Sequence, residues 1–379
     1  MDANEFLTHS QIVDLIKAVG HKRTVLIMGE NGTGKSWLHR TLSADPFFAD
    51  HIKPAPIDCT QLSDGSLFMP DIDREQGIAR ELPNQRLGLS FGNQRGADKE
   101  RPVLVMFDEV AKIPQFVKNM IAPMMYERRV GTMYWPERSV VFGATNLAIE
   151  GLGDSLAAHL RNRLIVVKLR KADGQEWIQN FAMPMGLNPI LIACVEENPQ
   201  VLDSFVDYLP GGRYENKDQK KDNPSIYNPQ EVQDAYASPR TLHAASDILD
   251  AYAVGGFDSA TLEQALSGTV GKAFTSILMS FIRFGAQVPR NTDILADPLN
   301  TPVPDNKIAQ QVVVFRSLAQ TKTRDDAQAF TLYIRRLQPE VQSLFLRRVS
   351  ASATLHLGLY STIAEFGEMM NDNRIFYKV

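Results

Sequence analysis

Thr24-Val25-Leu26-Ile27-Met28-Gly29-Glu30-Asn31-Gly32-Thr33-Gly34-Lys35-Ser36-Trp37-Leu38-His39-Arg40-Thr41-Leu42 is the stretch that decides the fold. An apolar, β-branched run stops at Gly29, passes through a glycine-punctuated loop and resumes as a helical pattern at Ser36. The order strand, Gly-x-x-x-x-Gly-Lys-Ser, helix is that of a phosphate-binding loop. The residue types have physical reasons. Gly29, Gly32 and Gly34 let the backbone curl, so that the N–H groups of Glu30, Asn31, Thr33 and their neighbours converge on phosphate oxygens. The helix N-terminus adds favourable partial charge. Lys35 has the length to reach β and γ phosphates, and Ser36 offers a hydroxyl to Mg²⁺.

Working outward, Val103 to Phe107 is a second buried-strand run, and it closes on Asp108 and Glu109, 73 residues after Lys35. Two adjacent carboxylates at a strand end can divide the work of phosphoanhydride hydrolysis: Asp108 binds Mg²⁺ through its water shell, and Glu109 polarises the attacking water. A helix is expected over 114–126 and a hairpin around Arg129 to Tyr134. Val140 to Ala144 then forms a third strand, beside the acidic one, that ends in Thr145-Asn146. The Asn146 amide is placed to hold the attacking water or the γ-phosphate. Arg161 and Arg163 precede a fourth strand, Leu164 to Leu169. Arginine suits phosphate contact from a neighbouring subunit, because its fork binds oxygens in pairs and keeps its charge. Farther on, Ser238-Pro239 reads as a helix start with Arg240 on the first turn.

Alternation of strands and helices over the first third predicts an α/β domain with a parallel sheet flanked by helices, residues 1–169. Helical spacing dominates beyond it, giving an expected helical lid over 170–286. Residues 208–237, polar and proline-rich, read as an exposed loop within it. Val288 to Asp305 carries four prolines and reads as an extended connector, and helical spacing resumes at Ile308, Val312 and Phe315 and at Phe330, Tyr333 and Ile334, so 287–379 reads as connector plus helical C-terminal domain. Gln61 to Gly96 is long for a connection and reads as an insertion with Phe68, Met69, Leu89 and Phe91 as exposed apolar candidates. Met120, Met124 and Met125 share one helix and read as core.

The 379 residues are 44% hydrophobic and 22% charged, with a net charge of −4, an ordinary globular balance. That balance argues against disorder, and the lack of a strongly basic field argues against a dedicated nucleic-acid binder. The longest apolar stretch, Ala273 to Val288, contains Arg283 and is too short to span a bilayer. No apolar signal segment is evident at the N-terminus, and Cys59 and Cys194 read as buried thiols. The cytoplasm is therefore the expected compartment.

Phe107-Asp108-Glu109-Val110-Ala111-Lys112-Ile113-Pro114, Glu127-Arg128-Arg129-Val130-Gly131, Gly143-Ala144-Thr145-Asn146 and Ser238-Pro239-Arg240 followed by Ala245 to Leu249, in this order after the phosphate loop, resemble an AAA+ ATPase of the MoxR-like branch. The resemblance covers about residues 20–285. It implies ATP and Mg²⁺ as ligands, with Asn146 as sensor 1, Arg161 or Arg163 as the finger acting in trans, and Arg240 as sensor 2. It also implies a hexameric ring that remodels a protein partner, a von Willebrand factor A domain protein being one such partner. Two features depart from the family pattern. Glu30-Asn31 replaces the prolines or glycines of many relatives without touching a contacting side chain, and the finger position offers two arginines. Two other readings share the same core. In one, the ATPase acts on DNA or RNA, with Lys217, Lys220 and Lys221 or Arg335, Arg336, Arg347 and Arg348 as a local basic patch. In the other, the protein is a nucleotide-gated scaffold that does not hydrolyse.

Overall fold

The computed structural model describes residues 6–63, 65–89, 101–111, 113–131, 133–147, 162–285, 287–351 and 355–373. The chain divides into two compact units, residues 1–171 with 206–216, and residues 172–205 with 217–379.

The first unit is built on six parallel strands: β1 (Phe6–Leu7), β2 (Val25–Gly29), β3 (Ile57–Asp58), β6 (Leu104–Asp108), β9 (Val140–Asn146) and β10 (Ile165–Leu169). Their order across the sheet is β1-β10-β2-β9-β6-β3, all neighbours parallel. Side chains alternate between the faces, as the two-residue strand period requires. Val25, Ile27, Leu104, Met106, Val140 and Phe142 meet Ile12 and Ile16 of α1 (His9–Val19) and Leu38 and Leu42 of α2 (Lys35–Ala44). Leu26, Val105, Phe107 and Val141 meet Val117, Ile121, Met124 and Met125 of α3 (Gln115–Tyr126) on the other face. Helices on both sides explain why these strands read as unbroken apolar runs. Gly143 is what lets α3 approach the central strand, since a Cβ there would lie 3.0 Å from the Met125 Cε and 3.1 Å from the Leu26 Cδ1.

The insertion before β6 contains an antiparallel hairpin, β4 (Phe68–Asp73) with β5 (Ile78–Pro83). Met69 is exposed there, as expected, but Leu89 is buried in the core beneath α3 and Phe68 packs against the same core. The apolar load of the segment therefore anchors it more than it decorates its surface. Phe91 lies outside the described residues. A second hairpin, β7 (Arg129–Val130) with β8 (Met133–Tyr134), forms where the sequence places it.

The second unit is helical, and its organisation corrects two expectations. The proline-rich connector is not extended throughout: Asn291–Ala296 is helical, with Ile294 fully buried, and the Asn291 amide is tied to the Arg316 carbonyl and the Gln320 side chain. Nor do the described residues beyond it form a separate domain. Leu242, Leu266, Phe274 and Leu278 share one hydrophobic core with Val313, Phe330, Phe345 and Phe366. Within the span read as an exposed loop, Ile226 is buried and bridged to Ala237, and polar side chains supply the missing backbone partners. Asn223 donates to the Gln200 carbonyl at 2.7 Å and Gln233 to the Ile226 carbonyl at 3.0 Å. Cys59 and Cys194 are buried free thiols. Among the described residues no helix is long and apolar enough to cross a membrane.

Candidate functional site

In a parallel sheet every strand ends on the same side, so residues at the carboxyl ends of neighbouring strands gather on one rim. Three such ends make the site here. Gly29 at the end of β2 is in register with Asn146 at the end of β9, and β6, ending in Asp108, pairs with the other side of β9. The asparagine strand therefore separates the phosphate-loop strand from the acidic strand.

Gly34 precedes α2 with φ +91°, in the left-handed region that glycine enters without cost, and no side chain caps the helix it opens. Gly32 is also left-handed, at φ +74°. Thr33 closes the loop on itself, its hydroxyl donating to the Glu30 carbonyl at 2.9 Å. The Lys35 side chain is buried beneath the loop. Its ammonium donates to the Gly29 and Glu30 carbonyls, both at 2.7 Å, and to Asn146 Oδ1 at 2.8 Å. Ser36 is exposed, and its hydroxyl donates to Asp108 Oδ2 at 2.7 Å. The other Asp108 oxygen accepts from the Glu109 backbone N–H at 3.0 Å.

Glu109 has φ +56°, a conformation that ordinarily costs a non-glycine residue about 1–2 kcal/mol. The kink turns the chain off β6 at the carboxylate pair. Behind it, the Val110 N–H donates to the Ala144 carbonyl at 3.1 Å, and the Ala111 N–H donates to the Thr145 hydroxyl at 3.3 Å. Thr145 thus fixes the loop that carries Glu109, a positioning role the sequence reading missed. Its only sequence signal is a hydroxyl adjacent to the strand-end asparagine. The negative character of the rim is registered by Cys59, whose thiol is pushed up first by burial and then by Asp108, Asp58 and Glu109.

Asn146 is 6% exposed, and while its oxygen accepts from Lys35, its Nδ2 is buried with no hydrogen-bond partner. The donor set of the rim fits Mg²⁺ carried with a nucleotide. A hydroxyl and a carboxylate, both hard oxygens, touch each other beside an uncapped helix start, the kind of partial ligation Mg²⁺ takes when phosphates and water complete its shell. Among the described residues no cluster of His, Cys, Asp and Glu could hold a metal by itself.

The arginines are less gathered. Arg163 is on the surface of the first unit with its guanidinium 4.4 Å over the Tyr126 ring. Arg161 lies outside the described residues. Arg240 is exposed on the first turn of Pro239–Ala253 in the second unit, where Pro239 holds the first helical position and Ser238 caps the helix, completing a capping box with Thr241.

Strand order, phosphate loop and helical second unit together define a P-loop α/β fold of the AAA+ arrangement. No protein-family model matches the sequence, and no curated protein matches it. Among solved structures, the chain is similar to a proposed ATPase from Cytophaga hutchinsonii, at 12% identity and a TM-score of 0.34, over 72% of this chain and 88% of that one.

Proposed function

We propose that the protein is a Mg²⁺-dependent ATPase of MoxR-like AAA+ type. The observation that carries this reading is the meeting of Lys35, Asn146, Ser36 and Asp108 on one rim, through hydrogen bonds of 2.7–2.8 Å. In this reading Lys35 and the loop N–H groups bind the β and γ phosphates, with Ser36 and Asp108 holding Mg²⁺, the aspartate through water. Bound there, the ion would neutralise charge on the phosphate oxygens. Glu109 accepts hydrogen-bonding from the attacking water and receives its proton as the oxygen bonds to the γ-phosphorus and the bond to the leaving ADP oxygen breaks. Asn146 orients that water or the γ-phosphate.

The finer part of the proposal is a homo-oligomeric ring, six-membered by the resemblance, in which Arg161 or Arg163 reaches the neighbour's phosphate and Arg240 acts as sensor 2. Its work is the remodelling of a protein partner, and the exposed setting of Arg163 supports the trans role. The test is ATP turnover per subunit against protein concentration. Lys35→Ala is expected to abolish nucleotide binding or hydrolysis, and Glu109→Gln to leave ATP bound but uncleaved. Unchanged turnover in both would sink the site. Specific activity that rises with concentration and collapses in Arg161→Ala or Arg163→Ala supports the ring. Flat activity, indifferent to both arginines, refutes it.

A further inference from the structure

An ammonium has three N–H donors, and at Lys35 three protein acceptors lie at 2.7, 2.7 and 2.8 Å. A phosphate oxygen arriving at Lys35 therefore competes with a bond already made. Two of the acceptors are carbonyls of the loop itself, Gly29 and Glu30, and their positions are fixed by the strand end and the turn. The third, Asn146 Oδ1, is a side-chain atom on another strand, and so it is the acceptor that moves by rotation about a side-chain bond alone. The same amide buries Nδ2 with no partner, a donor whose desolvation is uncompensated.

We infer that Asn146 is a latch on Lys35. Its carbonyl holds the ammonium in the conformation described here, and β- or γ-phosphate oxygens take the lysine over. The released amide then turns its NH₂ toward the place of the γ-phosphate, where ADP and AMP offer it no acceptor, so that loss of the amide costs neither of them a contact. The inference rests on the reading of this rim as an ATP site and adds a regulatory coupling to it: phosphate capture by Lys35 and deployment of Asn146 are one event. A bond broken on binding opposes binding, so the latch lowers affinity for any nucleotide that engages Lys35 and leaves untouched one that is too short to do so.

That sign is opposite to what a simple phosphate ligand would give, and it decides the test. Binding of ADP and of AMP to the full chain is measured by calorimetry for the wild type, Asn146→Ala, Asn146→Ser and Lys35→Ala. With the latch, Asn146→Ala tightens ADP about fivefold, equivalent to about 1 kcal/mol, leaves AMP unchanged and slows ATP turnover. Asn146→Ser, which is too short to span to the ammonium, shifts the ADP-to-AMP affinity ratio the same way and covers the case in which the alanine variant does not fold. An ADP affinity that is unchanged or weaker in both variants overturns the latch, while Lys35→Ala still abolishing ADP binding keeps the site reading intact. If Lys35→Ala binds ADP as the wild type does, the site reading itself is wrong.

Discussion

Arg128 offers a clean separation of folding from function. It has φ +58°, and its guanidinium donates to the Ser139 carbonyl at 2.9 Å and the Gly20 carbonyl at 2.5 Å. It therefore ties the end of α3 to the end of α1 and the start of β9, at the amino ends of the strands, whereas the candidate site occupies the carboxyl ends. Burial lowers its pKa to about 10, so it is charged at neutral pH. Arg128→Ala removes two charge-assisted bonds worth about 1.5–3 kcal/mol each and leaves two carbonyls short of a partner; regained hydration of the unfolded guanidinium no longer opposes folding, so the net loss is about 3 kcal/mol. For a unit of this size that lowers the midpoint by about 6–12 °C. Glycine accepts the left-handed backbone that alanine resists at about 1–2 kcal/mol, against an unfolded-state entropy cost of about 0.4–1 kcal/mol. Arg128→Gly should therefore melt slightly above Arg128→Ala. Thermal unfolding followed by circular dichroism reads the stabilities, and ADP affinity at 20 °C, expected to be unchanged, reads the site. A loss under about 1 kcal/mol, alanine melting above glycine, or a site that fails in the folded variants would refute the reasoning.

Two other perturbations test the units separately. His39 is buried on α2, with Nε2 lacking a hydrogen-bond partner and the ring stacked 6.4 Å from Phe142, and burial holds its pKa below the ordinary 6.5. The unfolded chain takes up a proton that the folded chain refuses, so this stability is complete above about pH 6.5 and is lost as pH falls below it. Urea midpoints should drop between about pH 7.5 and about pH 5.5, and less so in His39→Leu; His9 has the same direction of shift and keeps a residual slope. An unchanged slope in the variant would refute the assignment. Phe345 is fully buried against Tyr360 and Phe366, and Phe345→Ala should cost about 3–5 kcal/mol. Because its core includes Trp177, the loss should appear in Trp177 emission and in exchange protection over Pro239–Ala253. Protection lost only beyond residue 287 would mean that the tail folds by itself.

The parts of the fold that announce themselves in the sequence are those where local chemistry and burial agree. β2, β6 and β9 are apolar runs because helices cover both faces, and the phosphate loop needs its glycines for backbone reasons that show in any single chain. The Ser238-Pro239 start reads directly because capping is local. β1 and β3 do not show, since two-residue edge strands carry no period. The tail's attachment to the helices before the proline-rich span is hidden because helical spacing identifies an apolar face without naming the face it meets. Pro289, Pro298, Pro302 and Pro304 suggest a linker, yet the side chains of Asn291 and Arg316 hold that span in place, the arginine donating to the Asn291 side chain at 3.0 Å and to the Pro289 carbonyl. At the site, Asn146 is legible as a strand-end amide, but its bond to Lys35 joins residues 111 positions apart and depends on strand order.

The shared core of residues 172–205 and 217–379 has a mechanical meaning. Phe345, Tyr360 and Phe366 interlock ring against ring, and Arg348 donates to Gln175 and Glu196 from across the unit. A pull on Ala364–Asp372 is passed to Pro239–Ala253, and so to Arg240 on its first turn, through the side chains of that one core. The helices after the proline-rich span work as the long arm of a lever whose short arm carries Arg240. Cutting the arm off would open the core that gives the short arm its shape.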